Sequence, residues 1–209
     1  MPLFLDDHQP DYRLGVWKME ETTEELWQLL RNPALYESAF ARITSDPRRL
    51  EWLSVRVLLA RLLGEEKVVD YYENGRPFLA DGSFQLSISH TKGYVAVLLS
   101  RGCRVGVDLE HYRRQVHRVA SRFMHPDERL SQTEGDTTWE LLTYWSAKES
   151  IYKGVDDADA DLRQIRIDPF KFGTSGQMMA RQMSRDPEKM LTVRYELRDE
   201  FVLTWMVLR

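Results

Sequence analysis

The sequence is short of several features that would point directly to a class of function. Cys103 is the only cysteine, which excludes a disulfide framework and a cysteine-rich zinc site. No apolar run approaches the ~20 residues that span a membrane, because Arg61 interrupts the longest candidate, residues 55–63. Residues 1–10 carry acids and no basic segment, so they do not predict a signal peptide. We therefore expect a cytoplasmic protein without a membrane partner.

An excess of basic charge is also lacking. The 29 basic and 33 acidic side chains give a formal net charge of -4. Non-specific binding to nucleic acid usually needs a basic excess, so no nucleic-acid partner is expected. The rest of the composition, 43% hydrophobic and 30% charged over 209 residues, is ordinary for one large globular domain or two small ones.

The first half of the chain predicts helices followed by strands. Thr22 and Glu25 have the spacing of a capping box at the start of a helix. A longer helix is predicted with Asp46 as its cap, Pro47 in its first turn and its end near Gly64. Strands follow, with turn residues between them, at residues 68–72, 85–89, 94–100 and 104–110.

The second half repeats this order. A helix is predicted over about residues 111–123, and another opens with a capping box of Thr137 and Glu140 and ends near Gly154. Strands are then predicted near residues 165, 191–197 and 201–208. The repeat predicts an α+β fold of two halves, residues 1–105 and 106–209, which pack tightly because no linker rich in proline, glycine or serine separates them.

Two carboxylates follow one face of the strand with the sequence VGVDLE. Asp108 and Glu110 project to the same side, since strand side chains alternate, while Val107 and Leu109 project toward a core. Adjacent carboxylates repel unless a cation or a proton lies between them, and such oxygen ligands suit Mg²⁺. The pair indicates either a magnesium site or an exposed acidic strand end.

A third carboxylate and a lysine lie in the segment WSAKESIYK. On a helix, Glu149 shares a stripe with Trp145 and Tyr152, where a carboxylate needs a partner or a metal. Lys153 lies one turn further on, so a Glu149–Lys153 ion pair is one interpretation, contributing only ~0.3–0.5 kcal/mol if exposed. The other places Glu149 on a metal and Lys153 on a phosphate. The spacing by itself favours the ion pair.

Two upstream segments have residue types that suit a nucleotide. In the segment SISH, the hydroxyl of Ser89 and the imidazole of His90 lie at a strand end, where they either receive a phosphate or have no special task. In the turn NGRP, Gly75 permits a positive φ, Pro77 stiffens the exit and Arg76 supplies a charge. This turn either lies against a nucleotide or is only a turn.

A basic stripe is predicted on the helix that follows Glu110. Arg114, Arg118 and Arg122 recur every four residues and therefore share a helix face. Such a stripe is either a solvated face or a surface that attracts an acidic partner.

Together, the order and spacing of these segments resemble the Sfp-type 4′-phosphopantetheinyl transferase family. Its signatures read roughly V/I-G-V/I-D-x-E and, further along the chain, W-S/C-x-K-E-A/S-x-x-K. Gly106, Asp108 and Glu110 fill the first signature, and residues 145–153 fill the second without a gap. The segments S-x-S-H and G-K/R-P are similar to family segments as well, so that the resemblance spans residues 46–154.

The resemblance implies a fold and a ligand set. The fold is a pseudo-twofold monomer of two similar α+β halves, with coenzyme A and Mg²⁺ (Mn²⁺ as an alternative) between the halves. Asp108, Glu110 and Glu149 would hold the metal, and Lys153 would contact the pyrophosphate. Glu128 resembles a further family acid near the site.

The same resemblance assigns nucleotide contacts in the first half. His90, with Ser89 beside it, and Arg49 would meet the 3′-phosphate of coenzyme A, although the choice between Arg49 and the adjacent Arg48 stays open. The adenine would lie against the turn formed by Gly75, Arg76 and Pro77.

The implied reaction is transfer of the 4′-phosphopantetheine arm of coenzyme A to a serine of an apo acyl or peptidyl carrier protein. Adenosine 3′,5′-bisphosphate is released, and Glu149 or Glu110 would accept the serine proton. Because carrier proteins of this kind are acidic helical bundles, the arginine stripe is a candidate docking surface. Two alternatives are a Mg²⁺-dependent nuclease, which the acidic balance disfavours, and a non-catalytic module that binds coenzyme A or a carrier, which the complete set of acids and Lys153 disfavours.

Overall fold

The structure is a computed structural model that describes residues 3–131, 135–155, 161–182 and 186–208. The chain divides into two compact units, Met1–Gly102 and Cys103–Arg209. Each unit combines helices with an antiparallel sheet, which confirms the predicted α+β class. The predicted domains, 1–105 and 106–209, and the pseudo-twofold relation stay proposals. Among the described helices, none is long and apolar enough to cross a membrane.

The described residues of the first unit, from residue 3 onward, form three α-helices, one 3₁₀ turn and six strands. The helices are α1 (Thr23–Gln28), α2 (Glu37–Phe40) and α3 (Asp46–Leu63), with the 3₁₀ turn at Pro33–Leu35; the strands are β1 (Leu3–His8), β2 (Arg13–Lys18), β3 (Val69–Tyr71), β4 (Pro77–Leu79), β5 (Gln85–Thr91) and β6 (Tyr94–Ser100). Four strands form a sheet of order β1-β2-β6-β5, and β3 pairs with β4 as a hairpin. Helix α3 packs on β2 and β6, and this contact forms the core of the unit.

Local sequence explains two of these helix ends, the start of α1 and the end of α3. The capping box of Thr22 and Glu25 is present at the start of α1, as predicted. Helix α3 ends as predicted at Gly64, whose φ of 78° is in the left-handed region that glycine adopts without strain. The predicted cap Asp46 is wrong: Ser45 is the cap residue, with no side-chain hydrogen bond, and Asp46 is already helical.

The predicted order of helices before strands is also wrong in the first unit, because β1 and β2 precede every helix. Four consecutive residues of β2, Leu14 to Trp17, are buried. A strand buried in this way does not show the alternating pattern from which half-buried strands are predicted.

In the part of the second unit that the structure describes there are two α-helices, two 3₁₀ turns and five strands. These are β7 (Arg104–His111), α4 (Val116–Val119), a 3₁₀ turn at Ala120–Arg122, α5 (Thr138–Gly154), a 3₁₀ turn at Leu162–Gln164, β8 (Ile165–Ile167), β9 (Ser175–Gln182), β10 (Asp186–Leu197) and β11 (Phe201–Leu208). The sheet has the order β7-β11-β10-β9-β8. Helix α5 packs across β7, β11 and β10.

The helix predicted over residues 111–123 is much shorter than expected, since α4 has only four residues. In the chain before it, Arg113 forms a local pair with Glu110, and Arg114 pairs with Asp136. The three arginines of the predicted stripe are exposed, but they do not share one continuous helix.

The predicted capping box of Thr137 and Glu140 is wrong as well. Thr137 makes no side-chain cap, and Asp136 accepts hydrogen bonds from the amide and the hydroxyl of Thr138 instead. Glu140 accepts a hydrogen bond from the Ser131 amide, so it ties the preceding loop to the helix.

Candidate active site

Strand β7 carries two of the predicted metal ligands beside the core. Asp108 is only 5% exposed and lies opposite Thr204 of β11, and Glu110 lies opposite Val202. Val107 is fully buried, as predicted. A carboxylate at this depth is costly unless a cation or hydrogen bonds compensate it.

Gly106 lets helix α5 approach this strand. A Cβ at Gly106 would lie 1.8 Å from the carbonyl oxygen of Ser150. The glycine of the first signature is therefore a packing residue, and it brings the second signature against the first. Ser150 adds a hydrogen bond of 3.0 Å to the Thr204 carbonyl, and the hydroxyls of Ser146 and Thr204 lie 2.9 Å apart.

The close approach places Lys153 on Asp108. Its ammonium group lies 2.7 Å from Oδ1 of Asp108 and 3.1 Å from the carbonyl oxygen of Val107. The structure thus brings two predicted site residues together from sequence positions far apart. The ion pair that it forms is with Asp108, on the strand.

Glu110 is held by a different set of donors. The indole nitrogen of Trp145 donates to Oε1 at 2.5 Å, and the guanidinium of Arg113 donates to the same oxygen at 2.9 Å. Trp145 belongs to the second signature, whereas Arg113 was not among the predicted site residues. Its position three residues after Glu110 is the only sequence signal for this contact.

The three carboxylates act on one another electrostatically. Burial raises the pKa of Glu110 to about 7, with a further contribution from the charge of Asp108, and Arg113 opposes this rise. Burial also raises the pKa of Glu149, again with help from Asp108, while Lys153 and Arg113 oppose it. Mutual repulsion of this kind is what a divalent cation would relieve.

The donor set therefore fits Mg²⁺ by its chemistry, since it consists of carboxylate oxygens that a cation would stabilise. In the part of the chain that the structure describes, no three His, Cys, Asp or Glu side chains are gathered as a ready ligand group. Asp108 is instead paired with Lys153, and Glu110 is bound by Trp145 and Arg113.

Lys148 of the second signature has a structural position that sequence reasoning missed. Its side chain is fully buried, and its ammonium group donates to Glu128 at 2.8 Å and to the carbonyl oxygens of Phe123 and Leu162 at 2.6 and 3.3 Å. Glu128 also accepts hydrogen bonds from backbone amides. The ion pair of Lys148 and Glu128 joins α5 to the segments that precede and follow it. The only feature of the sequence that pointed to this pair was the position of Lys148 next to Glu149.

In the first unit, Arg48 rather than Arg49 lies beside His90. The Arg48 guanidinium is 3.2 Å from Nε2 of His90 and 3.1 Å from Glu51, which is also 3.5 Å from Nδ1 of His90. Arg49 instead donates to the carbonyl oxygen of Ile43 at 2.6 Å. Successive helical residues point in different directions, which accounts for the different contacts of Arg48 and Arg49.

The remaining predicted nucleotide contacts also lie in the first unit. Ser89 is buried, whereas His90 is exposed. Gly75 has a φ of 79° in the β3–β4 turn, as its turn sequence predicts. Arg76 donates to Gln85 at 3.3 Å, and Pro77 begins β4 opposite Tyr71.

Part of the chain is similar to known proteins. Residues 104–205 match the family model described as the 4′-phosphopantetheinyl transferase superfamily. The curated relatives include the 4′-phosphopantetheinyl transferase AcpT of Salmonella typhimurium, 30% identical over 128 residues, which are 57% of this chain and 65% of the relative. AcpT of Escherichia coli K12 is 29% identical over 135 residues, covering 58% of this chain and 63% of the relative.

Residues 104–205 of the chain are therefore similar to the 4′-phosphopantetheinyl transferase superfamily. The match spans about 65% of the length of the Salmonella relative. The assignment to the Sfp-type branch stays a prediction.

Proposed function

We propose that the protein transfers the 4′-phosphopantetheine arm of coenzyme A to a serine of an apo acyl or peptidyl carrier protein, in a reaction that depends on Mg²⁺. The observation that carries the proposal is the convergence of β7 and α5, which brings Lys153 to Asp108 and Trp145 to Glu110. The names of the relatives support the same reaction.

The residues of this chain have distinct tasks in the proposed reaction. Asp108, Glu110 and Glu149 would hold Mg²⁺, which when bound supplies positive charge to the pyrophosphate. The serine oxygen attacks the phosphorus that bears pantetheine, and the bond to the nucleotide breaks to release adenosine 3′,5′-bisphosphate. Lys153 neutralises charge on the phosphates.

A glutamate would take the proton that the serine loses. Glu110 and Glu149 are the two candidates, since a carboxylate beside the serine can take its proton; in the metal-free protein, burial raises the pKa of Glu110 to about 7 and also raises the pKa of Glu149. The choice between them is a matter for experiment. Trp145 and Arg113 fix the orientation of Glu110 through its Oε1 atom.

Two side chains of the first unit are candidates for a second contact with phosphate. His90 and Arg48 lie 3.2 Å apart and are both exposed. We propose that this pair, rather than His90 with Arg49, meets the 3′-phosphate of coenzyme A. The turn of Gly75, Arg76 and Pro77 remains the proposed neighbour of the adenine.

The carrier would be recognised by basic side chains. Arg118 of α4 is exposed, and we propose that it meets an acidic helix of the carrier together with Arg114 and Arg122. Reversing its charge, as Arg118→Glu, should raise KM for the carrier and leave KM for coenzyme A unchanged. An unchanged KM for the carrier at both low and high salt would remove this surface from the proposal.

The reaction is tested by intact-mass spectrometry of an apo acyl carrier protein incubated with the protein, coenzyme A and Mg²⁺. A mass gain of one phosphopantetheine that EDTA abolishes is expected. Asp108→Ala and Glu149→Ala should lose the transfer while keeping the wild-type circular dichroism, and Asp199→Ala, at an exposed carboxylate in the β10–β11 turn, should keep it.

Two other results would redirect the proposal. Binding of coenzyme A without transfer to acyl or peptidyl carriers would indicate a binding module. Metal-dependent cleavage of plasmid DNA would indicate a nuclease. A monomer in the cytoplasm is part of the proposal, and light scattering of the purified protein tests the monomer.

A further inference from the structure

The ion pair between Lys153 and Asp108 bears on metal binding. The ammonium group is 2.7 Å from Oδ1 of Asp108, whose side chain is 7% exposed, and it is also fixed by the Val107 carbonyl oxygen at 3.1 Å. The contact therefore has a specific geometry in a largely buried place. At this depth the Coulomb attraction between two charges is larger than between solvated surface groups, and removing one partner leaves the other charge uncompensated.

A divalent cation bound to Asp108 would lie close to the ammonium group of Lys153, which contacts Oδ1 of the same carboxylate. Two cations at such a short distance repel strongly where solvent is largely excluded. The side chain of Lys153 is 28% exposed and has a flexible four-carbon stem, so its ammonium group can move away from Asp108 toward solvent.

We infer that Lys153 is the exchange partner of the metal: it neutralises Asp108 in the metal-free protein and leaves that carboxylate when a divalent cation binds. The inference rests on the proposed function, because it assumes that Asp108 is a metal ligand. The displaced ammonium group then becomes available to the phosphates of coenzyme A. Metal binding and substrate binding are thereby linked through a single side chain.

This role differs from that of a lysine that only binds phosphate. If Lys153 competes with the metal, then removing its charge tightens metal binding in the absence of any substrate. If it binds phosphate and nothing else, the same change leaves metal affinity unaltered. If it holds β7 and α5 together, the change lowers stability and weakens metal binding.

The test is titration with Mn²⁺, followed by electron paramagnetic resonance of the free ion, without coenzyme A. Lys153→Met keeps the apolar stem and removes the charge, and it should bind Mn²⁺ about tenfold or more tightly than the wild type. Lys171→Met, at an exposed lysine of the same unit, is the matched control and should bind as the wild type does. Affinity for coenzyme A should fall only in Lys153→Met.

The outcomes separate this inference from the proposed function. If the wild type binds Mn²⁺ and transfers phosphopantetheine, but Lys153→Met binds Mn²⁺ equally or more weakly, the exchange is wrong and the function stands. If neither protein binds Mn²⁺ and no transfer is detected, both are wrong. Thermal melts of each variant show whether a weakened affinity reflects lost folding.

Discussion

The buried pair of Lys148 and Glu128 allows the sharpest stability prediction. Both side chains have no exposure, and their charged groups are 2.8 Å apart. The three protons of the ammonium group match three acceptors, namely Glu128 and the carbonyl oxygens of Phe123 and Leu162. Burial lowers the pKa of Lys148, and the charge of Glu128 opposes that shift.

Replacing Lys148 by methionine keeps most of its volume and leaves a buried carboxylate without its cation. Breaking a buried pair from one side costs about 3–5 kcal/mol. For a protein of this size, each kcal/mol corresponds to roughly 2–4 °C in Tm, so Lys148→Met should lower Tm by ~6–20 °C. The amides of His125 and Ile167 still donate to Glu128 and moderate the loss.

Urea denaturation of a double-mutant cycle measures the coupling between the two charges. The variants are Lys148→Met, Glu128→Gln and the double variant, with Lys171→Met as an exposed control. The double variant should be more stable than Lys148→Met, because it contains no unpaired buried charge and glutamine keeps one oxygen acceptor. A loss of less than ~1 kcal/mol in Lys148→Met, or losses that simply add, would refute this account of the pair.

Three further predictions follow from particular contacts. Gly106→Ala should lower the free energy of unfolding, measured in urea, by ~3 kcal/mol or more, because the new methyl group would lie 1.8 Å from the Ser150 carbonyl oxygen. Gly102→Ala is the control and should cost little, since nothing lies within 4 Å of its added methyl group. Equal losses of stability in the two variants would contradict the packing argument. In calorimetry, Arg48→Ala should weaken binding of coenzyme A but not of 3′-dephospho-coenzyme A, because Arg48 lies beside His90. Arg49→Ala should leave the difference in affinity between the two ligands unchanged. The reverse pattern would assign the 3′-phosphate contact to Arg49. In EDTA, the free energy of unfolding of the wild type should fall relative to that of Glu110→Gln as the pH rises from 4.5 to about 7. The reason is that Glu110 in the native protein keeps a proton that the unfolded chain has already released. Parallel curves of stability against pH for the two proteins would show that the pKa of Glu110 is not raised.

The sequence could predict the features that depend on neighbouring residues. The capping box of Thr22 and Glu25 and the left-handed Gly64 follow from local backbone chemistry, and both are present. The alternation in β7 likewise predicted that Val107 is buried. The two signatures, with the match over residues 104–205, led to the superfamily.

Elements that depend on tertiary contacts were predicted poorly. Strand β2 is buried without alternation, so its sequence lacks a strand period. In the segment predicted as a helix over residues 111–123, Arg113 pairs with Glu110, three residues before it, and Arg114 pairs with Asp136, which is distant in sequence. Propensity is a weak prior where such contacts are available.

For the candidate site, the sequence by itself determined which side chains are available and the faces on which they lie. It put Asp108 and Glu110 on one strand and Glu149 and Lys153 on one helix, because strand and helix periods are local properties. It could not determine the partner of each charge. The pairing of Lys153 with Asp108 depends on how closely α5 approaches β7. That distance is decided by the packing around Gly106, where no side chain intervenes.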